Sequence, residues 1–444
     1  MCWEDKQSME NPLKKIVTAQ KEGRAVGIYS CCSANEYVIK AALLRGKEDN
    51  SCVLIESTAN QCDQYGGYTG MKPADFKAFV EKLADEIGFD KSRLFLGGDH
   101  LGPLTFASKP EAEAMKESEE LIRCYVAAGF TKIHIDTSMK VADDDPNTRL
   151  SDATIARRGA QLARVAEDTY AQLLNTNPDA VEPVYIVGSE VPIPGGQQGG
   201  AAADCVQVTK PEDFKATLNT FEEAFKSNGL EHAWSNVIGI VVQPGVEEKD
   251  AGCTEYDRAK AVELCAAIKD YDNIVFEGHS TDYQTKIKLR ELVEDGVAIL
   301  KVGPGLTFAM REALFALAYA EKELYGDEGS HFMEVLDKAM LAQPKYWQKH
   351  YVGTDKEIAL KRKYSFSDRC RYYMPEKEVS EAREAMINNL KGGVPLNLLS
   401  QFMPRQYTKV REGVIANDPE VLIVDHICDT INEYLYATHQ SELF

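Results

Sequence analysis

The feature that most constrains the fold is an alternation of short apolar runs and longer amphipathic stretches, repeated eight times along the chain. Each run has the length of a strand buried on both faces of a parallel sheet, and each amphipathic stretch can form a crossover helix. Eight consecutive strand–helix units predict an α/β fold, the (β/α)8 TIM barrel. The predicted strands cover residues 25–30, 52–56, 94–98, 132–136, 184–189, 237–242, 274–277 and 298–302.

An open doubly wound sheet is the alternative fold for the same alternation. A sheet of that kind binds a dinucleotide through a glycine-rich turn directly after its first strand. Residues 29–35 have the sequence YSCCSAN, which contains no glycine. The sequence therefore favours the barrel over the open sheet.

More than a hundred residues follow the eighth predicted strand, and they show helical patterns without an obvious further strand. We predict a barrel over residues 12–310 and a helical C-terminal extension over residues 311–444, packed on the barrel. The extension covers the barrel mouth or provides a contact in a homo-oligomer. No linker rich in Gly, Pro or Ser separates the two parts, which argues against independent domains.

The charge of the chain excludes several classes of partner. Its 70 acidic and 50 basic residues give a formal net charge of −20. A surface of this sign repels nucleic acid and anionic lipid. The first 30 residues lack the apolar segment of a secretion signal, and no later apolar run has the length of a membrane span. We therefore expect a soluble cytoplasmic protein that binds neither nucleic acid nor membrane.

Polar or ionisable side chains follow essentially every predicted strand. In a barrel, the active site lies at the C-terminal ends of the strands, so these side chains should face one concave mouth. A barrel with a purely structural role does not require such a ring. The candidates at the strand ends are Ser30, Asn60, Gln61, Asp99, His100, Asp136, Ser138, Glu190, Gln243, His279, Ser280 and Lys301.

The pair Asp99-His100 gives the most specific chemical prediction. Imidazole and carboxylate from separate strands, with one position left open, are typical of a catalytic metal site. We predict His100, Glu190 and His279 as ligands of a divalent metal, zinc or manganese, with Asp99 transferring a proton beside it. The structural alternative is that Asp99 caps a helix. His134, inside the fourth predicted strand, is expected to be a satisfied lumen histidine and not a ligand.

Two segments are candidates for binding a substrate phosphate. The glycine-rich turn around Gly303 follows the eighth predicted strand and precedes a helix, where backbone N–H groups can approach an anion. The segment 364–373 interleaves aromatic residues with two arginines. In a capping segment, Arg369 or Arg371 would reach a substrate phosphate. An ordinary strand–helix turn and an ordinary connection are the structural alternatives.

Several ordered motifs resemble the GatZ/KbaZ-type subunit family of D-tagatose-bisphosphate aldolase, with a match from about residue 12 to about residue 436. GGDHLGP begins at Gly97, and GHSTDYQT begins at Gly278. The other matching segments are IYS (28–30), YGGYTGM (65–71), KIHID (132–136), EVPIPGG (190–196), VQPG (242–245) and SQFMP (400–404).

The family is similar to the class II, metal-dependent aldolases, in which an Asp-His pair supplies a proton-transferring carboxylate and a metal-binding imidazole. The resemblance implies these roles for Asp99 and His100, a metal-ligand role for His279, and a place for Asp136 in the loop after the following strand. The sequence departs from the class II pattern at Gln243, where a histidine is expected, and at Lys301 and Gly303, where an Asn-bearing loop is expected.

Members of the family have been described as partners of a separate catalytic aldolase subunit, as tagatose-6-phosphate kinases and as C4 epimerases. The favoured hypothesis is metal-dependent C4 epimerisation of tagatose 6-phosphate and fructose 6-phosphate by retro-aldol and aldol steps. It takes Asp99, Asp136 and Glu190 as catalytic residues. The alternatives are a non-catalytic subunit that a class II aldolase requires, and a bisphosphate aldolase acting alone. The predicted substrate-binding residues are Ser30, Asn60, Gln61, Ser138, Gln243, Ser280, Lys301, Gly303 and Arg369.

Overall fold

Eight parallel strands close into a barrel in the computed structural model, which describes residues 9–188 and 206–443. The order around the barrel is β1-β2-β3-β4-β5-β6-β9-β10, and β10 pairs with β1 through Ile28 and Ile299. The predicted (β/α)8 barrel is therefore confirmed. The strands are β1 (Ile28–Cys32), β2 (Val53–Thr58), β3 (Leu94–Leu101), β4 (Lys132–Ile135), β5 (Val184–Val187), β6 (Val237–Val242), β7 (Glu247–Glu248), β8 (Cys253–Thr254), β9 (Val275–Gly278) and β10 (Val297–Val302).

The strands β7 and β8 lie outside the barrel and form a small antiparallel hairpin in the loop that follows β6. Helices surround the barrel and make up the C-terminal part of the chain. The helices are α1 (Lys14–Lys21), α2 (Glu36–Glu48), α3 (Pro73–Ile87), α4 (Glu111–Ala127), α5 (Asp152–Leu173), α6 (Pro211–Ser227), α7 (Glu231–Ser235), α8 (Arg258–Ala267), α9 (Lys286–Glu294), α10 (Pro304–Tyr325), α11 (Phe332–Ala342), α12 (Asp355–Tyr364), α13 (Lys377–Asn389), α14 (Leu396–Phe402), α15 (Pro404–Arg411) and α16 (Pro419–Thr438).

The lumen at the N-terminal end of the barrel is filled with apolar side chains. Ile28, Leu54 and Ile299 are at most 1% exposed and belong to one cluster with Ile16 of α1. Helix α1 therefore closes this end, and the lumen is a packed core and not a channel. Polar chemistry is confined to the opposite, C-terminal end.

The last helix, α16, completes the ring of helices around the barrel. It packs between α9 and α2 and also contacts α10 and strand β1. It thereby covers the sector between the last and the first barrel strands. The predicted boundary between residues 310 and 311 falls inside α10, and a single hydrophobic cluster joins barrel residues to residues of α13 and α16.

Gln440, directly after α16, joins the end of the chain to the barrel strands. Its Oε1 accepts a hydrogen bond from the Tyr29 N–H (3.2 Å), and its Nε2 donates to the Cys52 carbonyl (2.7 Å). The side chain is fully buried. The Gln440 side chain thus takes the place of a backbone hydrogen bond between β1 and the residue that precedes β2.

Within the described ranges, no helix has both the length and the apolar character needed to cross a membrane.

We predict that Gln440→Leu destabilises the whole fold, because leucine has a similar volume but leaves the Tyr29 N–H and the Cys52 carbonyl buried without partners. Each such group costs on the order of 1–3 kcal/mol, so thermal unfolding should shift to clearly lower temperature. Gln348→Leu at an exposed position is the matched control and should leave the transition unchanged. Equal unfolding temperatures for the two variants would contradict the role given to Gln440.

Candidate active site

A network of buried ion pairs fills the lumen at the C-terminal end of the barrel. The Lys132 ammonium, fully buried on β4, lies 2.6 Å from Glu56 Oε1 and 2.8 Å from Glu277 Oε2. Lys301 on β10 contacts the other oxygen of Glu56 and lies 2.8 Å from Asp99 Oδ1. Five different strands thus hold one alternating array of positive and negative groups.

Glycine at position 97 makes this array possible. A Cβ atom there would lie 2.6 Å from the Glu56 Cγ and 2.9 Å from its carboxyl carbon. Gly97 pairs directly with Glu56 across β2 and β3. The absence of a side chain therefore lets the Glu56 carboxylate occupy the lumen.

Three histidines lie together above the ion pairs. The ring centroids of His100, His134 and His279 are separated by 5.1–5.2 Å. Each ring has one nitrogen on a carboxylate: His100 Nδ1 is 2.9 Å from Asp136, His134 Nδ1 is 2.8 Å from Asp99, and His279 Nε2 is 2.9 Å from Glu277. A carboxylate on one ring nitrogen fixes the orientation of the ring, as is usual for histidines that bind metal through the other nitrogen.

The backbone of β3 adopts an unusual conformation at these residues. The strand continues through Asp99 and His100 to Leu101, its pairing with β4 shifts register after Gly98, and His100 has φ 51°. A non-glycine residue with positive φ is strained, and such strain is concentrated at functional sites. The alternative in which Asp99 caps a helix is wrong, because both residues belong to the strand.

The pKa values in this cluster favour charged carboxylates and a neutral His279. Burial opposes ionisation of Asp136, yet the hydrogen bond from His100 and its charge lower the Asp136 pKa to about 2. Burial acts in the same way on Asp99, but His100, Lys301 and His134 hold its pKa well below the usual value. Burial lowers the pKa of His279 to about 4, so that its imidazole is neutral at pH 7, as a metal ligand must be.

Two observations bear on whether a divalent metal fits this cluster: the balance of its charges and the unpaired Nε2 of His134. Two buried ammonium groups face four buried carboxylates, those of Glu56, Asp99, Asp136 and Glu277, which leaves an excess of negative charge. His134 Nε2 is buried and has no hydrogen-bond partner among the described residues. Ligand atoms of Asp99, His134, Glu277 and His279 all lie within 4.8 Å of one another. This mixed nitrogen and oxygen set fits zinc or manganese.

The cluster opens into a cavity of about 280 Å³ at the barrel mouth. Asp99, His100, His279 and Lys301 form part of its wall. The C-terminal part of the chain forms another part of the wall. Its lining residues there are Arg371, Tyr372, Met374, Pro375, Ser380 and Arg383.

A second pair of carboxyl groups, Glu248 and Asp282, also lines the cavity. Both are nearly fully buried. Burial raises the pKa of Glu248, and burial together with the charge of Glu248 raises the pKa of Asp282 to about 7. One oxygen of Asp282 accepts hydrogen bonds from the N–H groups of Gly303 (3.0 Å) and Gly305 (2.7 Å).

Most of the residues predicted at strand ends lie on the cavity wall. The lining includes Asn60, Gln61, Asp99, His100, His279, Ser280, Lys301 and Gly303. Glu190 lies outside the described residues. Asp136 and Ser138 lie behind His100, where the Ser138 hydroxyl donates to Asp136 (2.6 Å).

Three further predicted residues have partners within the protein. Gln243 accepts hydrogen bonds from the N–H groups of Gly245 and Val246, which shapes its own loop. The Ser30 hydroxyl lies 3.6 Å from the Cys32 sulfur. Arg369 donates to the carbonyl of Tyr346 (3.0 Å), and its neighbour Arg371 is the arginine on the cavity wall.

Several members of the site carry little or no signal in the sequence. His134 is in the lumen, as predicted, but it is not satisfied at both nitrogens and belongs to the group that can hold a metal. The signal for it was the pair Lys132 and His134, two polar residues spaced by two within an apolar strand, which places both on one face. Glu277 is likewise a polar residue in an otherwise apolar run, at its end. Glu248 and Arg383 had no local sequence pattern that marked them as members of a site.

A family model described as D-tagatose-1,6-bisphosphate aldolase subunit GatZ/KbaZ-like matches residues 13–439. The chain is also similar to the crystal structure of a probable tagatose 6 phosphate kinase from Sinorhizobium meliloti 1021. The two share 43% identity over 93% of this chain and 100% of that chain, with a TM-score of 0.84.

Weaker similarity extends to fructuronate-tagaturonate epimerase UxaE from Cohnella laeviribosi, with 12% identity over 93% of this chain and 82% of that chain and a TM-score of 0.46. That similarity is too low to bear on function. The extent of the family match and the identity to the Sinorhizobium protein lead to one conclusion: the chain belongs to the D-tagatose-1,6-bisphosphate aldolase subunit GatZ/KbaZ-like family.

Proposed function

We propose that the chain is an enzyme that inverts C4 of a ketohexose phosphate and interconverts tagatose 6-phosphate and fructose 6-phosphate in a metal-dependent reaction. The observation that carries the proposal is the carboxylate–histidine cluster, whose residues Asp99, His100 and His279 face the cavity. An accessory subunit with no chemistry of its own has no need for such a cluster.

The comparisons support a sugar phosphate as the substrate. The family description refers to tagatose 1,6-bisphosphate, and the Sinorhizobium relative is described as acting on tagatose 6 phosphate. Kinase chemistry has less support, because the sequence contains no G-x-x-x-x-G-K-[ST] loop to hold a nucleotide.

Inversion at C4 requires that the C3–C4 bond break and form again. Removal of the C4 hydroxyl proton lets the C4–O bond become the carbonyl of an aldehyde. The electrons of the C3–C4 bond move toward the C2 carbonyl as that bond breaks. The fragments are a three-carbon enediolate and glyceraldehyde 3-phosphate. Addition to the opposite face of the aldehyde returns the proton and inverts C4.

Asp99, His134, Glu277 and His279 would hold the metal, with His100 and the undescribed Glu190 as further predicted ligands. A bound divalent metal supplies a Lewis acid for the C2 carbonyl oxygen. Asp136 holds the His100 ring in place. Lys301, Asn60, Gln61 and Ser280 line the cavity and supply donors for sugar hydroxyl groups.

The proton of the C4 hydroxyl needs a carboxyl group that can both accept and return it. Asp99 and Glu190 were predicted for this role. The Oδ1 of Asp99 is engaged by both His134 and Lys301, and its Oδ2 lies 3.6 Å from His100 Nε2. Glu248, in contrast, faces the cavity with a raised pKa and with its Oε2 buried and without a hydrogen-bond partner. We therefore add Glu248 to the candidates for general acid–base catalysis.

A second candidate function is that of a subunit required by a separate class II aldolase. The family description names a subunit, which favours a catalytic partner. Under this hypothesis, His134→Ala and His279→Ala leave the activation of the aldolase intact. Under the epimerase hypothesis, the same variants lose the activity of the isolated chain.

We predict that the purified chain alone, supplied with manganese or zinc, interconverts fructose 6-phosphate and tagatose 6-phosphate, as followed by NMR. A chelator should stop the reaction, and added metal should restore it, because the cluster carries excess negative charge that a divalent cation balances. The absence of turnover with either metal and either substrate would refute the epimerase proposal and favour the accessory subunit.

We predict that His134→Ala lowers the metal content of the purified protein and reduces turnover by roughly a hundredfold, since ligand loss typically has effects of this size or larger. Metal content is measured by elemental analysis after dialysis. His426→Ala is the matched control and should retain both properties, because His426 is a partly buried histidine on α16 that contacts Glu312 and Gln406 and is not part of the cavity wall. A His134→Ala protein with full metal content would exclude His134 as a ligand.

A further inference from the structure

The backbone donors that follow the last barrel strand are already occupied by a side chain. Barrel enzymes frequently bind phosphate at the turns after their seventh and eighth strands, through the N-terminus of the following helix. Here those strands are β9 and β10, and the helix is α10. The N–H groups of Gly303 and Gly305 donate to a single oxygen of Asp282, which lies in the loop after β9.

The approach of Asp282 to this turn depends on glycine. A Cβ atom at Gly305 would meet the Asp282 Oδ1 at 3.0 Å, closer than most such contacts. Asp282 is 3% exposed, and its carboxyl group therefore occupies the position that an anion would take at this turn. Burial raises the pKa of Asp282, and Glu248 lies close enough for its charge to raise that pKa further. A phosphate at this turn would find the two N–H donors already occupied by Asp282 and would lie beside two carboxyl groups.

Two arginines of the C-terminal part offer a different place for an anion on the same cavity wall. Arg371 and Arg383 both line the cavity. The Arg371 guanidinium is fixed by the Asp368 carbonyl (2.9 Å) and the Tyr372 hydroxyl (2.8 Å). The Nε of Arg383 is buried without a hydrogen-bond partner. A chain with a net charge of −20 needs such a local positive cluster to bind an anion.

We propose that the cavity selects a sugar that carries one phosphate. Arg371 and Arg383 bind that phosphate, and the Asp282 carboxyl group keeps a second phosphate away from the turn at Gly303 and Gly305 by occupying its two N–H donors and, when ionised, by its charge. The identity of the sugar rests on the function proposed above. The selection between one and two phosphates is a property of binding and is measured without turnover.

The test is isothermal titration calorimetry with fructose 6-phosphate and fructose 1,6-bisphosphate on the unmodified chain and on four variants, at a pH well above the Asp282 pKa of about 7 so that its carboxyl group is ionised. The unmodified chain should bind the monophosphate about tenfold or more tightly, because like charges brought together at a binding site are strongly disfavoured. Asp282→Asn removes the charge and keeps an acceptor for the amides, so it should reduce the discrimination several-fold. Asp282→Ala also frees the two N–H groups and should strengthen bisphosphate binding by about tenfold.

Arg383→Met should weaken the binding of both compounds by about tenfold and leave their ratio unchanged, because it removes a shared contact. Asp179→Ala, at an exposed position at the opposite end of the barrel, should change nothing. Circular dichroism confirms folding, and Asp282→Asn carries the test if Asp282→Ala does not fold.

Bisphosphate binding as tight as monophosphate binding in the unmodified chain would overturn the proposal, as would the absence of binding for both compounds. Discrimination that persists in Asp282→Asn and Asp282→Ala would overturn the role of Asp282. An unchanged monophosphate affinity in Arg383→Met would overturn the role of the arginines. Selective binding without epimerisation would sustain this inference and refute only the proposed reaction.

Discussion

The ion pairs of Lys132 and Lys301 with Glu56, Asp99 and Glu277 are the interactions on which the polar half of the barrel depends. Charges buried to this degree are tolerated only when they are paired, and loss of one partner from a buried pair typically costs about 3–5 kcal/mol. The pairs join β2, β3, β4, β9 and β10 across the lumen. Apolar side chains fill the other end of the same lumen, so the barrel has a hydrophobic base and an ionic top.

The chemistry of the site follows from the excess of negative over positive groups in this array. The lysines neutralise only part of the carboxylate charge, and three of the four carboxylates, those of Asp99, Asp136 and Glu277, each hold a histidine ring. Replacing the array with apolar residues would remove an electrostatic cost, so its presence is not explained by stability. A divalent cation at the histidines would balance the charge and would use the buried His134 Nε2. The carboxylates that orient the rings are therefore also the groups that would attract a metal.

The sequence predicted the barrel because buried parallel strands and their crossover helices leave a strong periodic pattern. It also predicted Asp99, His100 and His279, because strand ends in a barrel share one mouth. The same pattern concealed Lys132 and His134, since a run buried on both faces is expected to be apolar throughout. Nothing local placed α16 in the ring of helices, because that position depends on contacts with helices more than a hundred residues away.

The choice between Arg369 and Arg371 illustrates a further limit of prediction from sequence, the direction in which a side chain points. Both residues lie in a short 3-10 helix, Arg369–Tyr373, and side chains two positions apart on a helix point in different directions. The interleaved aromatic and basic residues made the segment a candidate cationic cap but could not decide which guanidinium faces the cavity. Glu248 was missed because its hairpin strand has only two residues, too few for any periodic signal.

The C-terminal part is a component of the site and not an appendage to it. Thr307 on α10 donates to Asp368 (2.6 Å), and Phe366 stacks on Tyr283 with ring centroids 4.0 Å apart. On the loop after β6, Asp250 accepts a hydrogen bond from Ser365 (2.8 Å). These contacts attach the segment that bears Arg371 to the start of α10 and to two loops of the barrel mouth. Because the barrel supplies the carboxylate–histidine cluster and the C-terminal part supplies Arg371 and Arg383, the two parts enclose the cavity together.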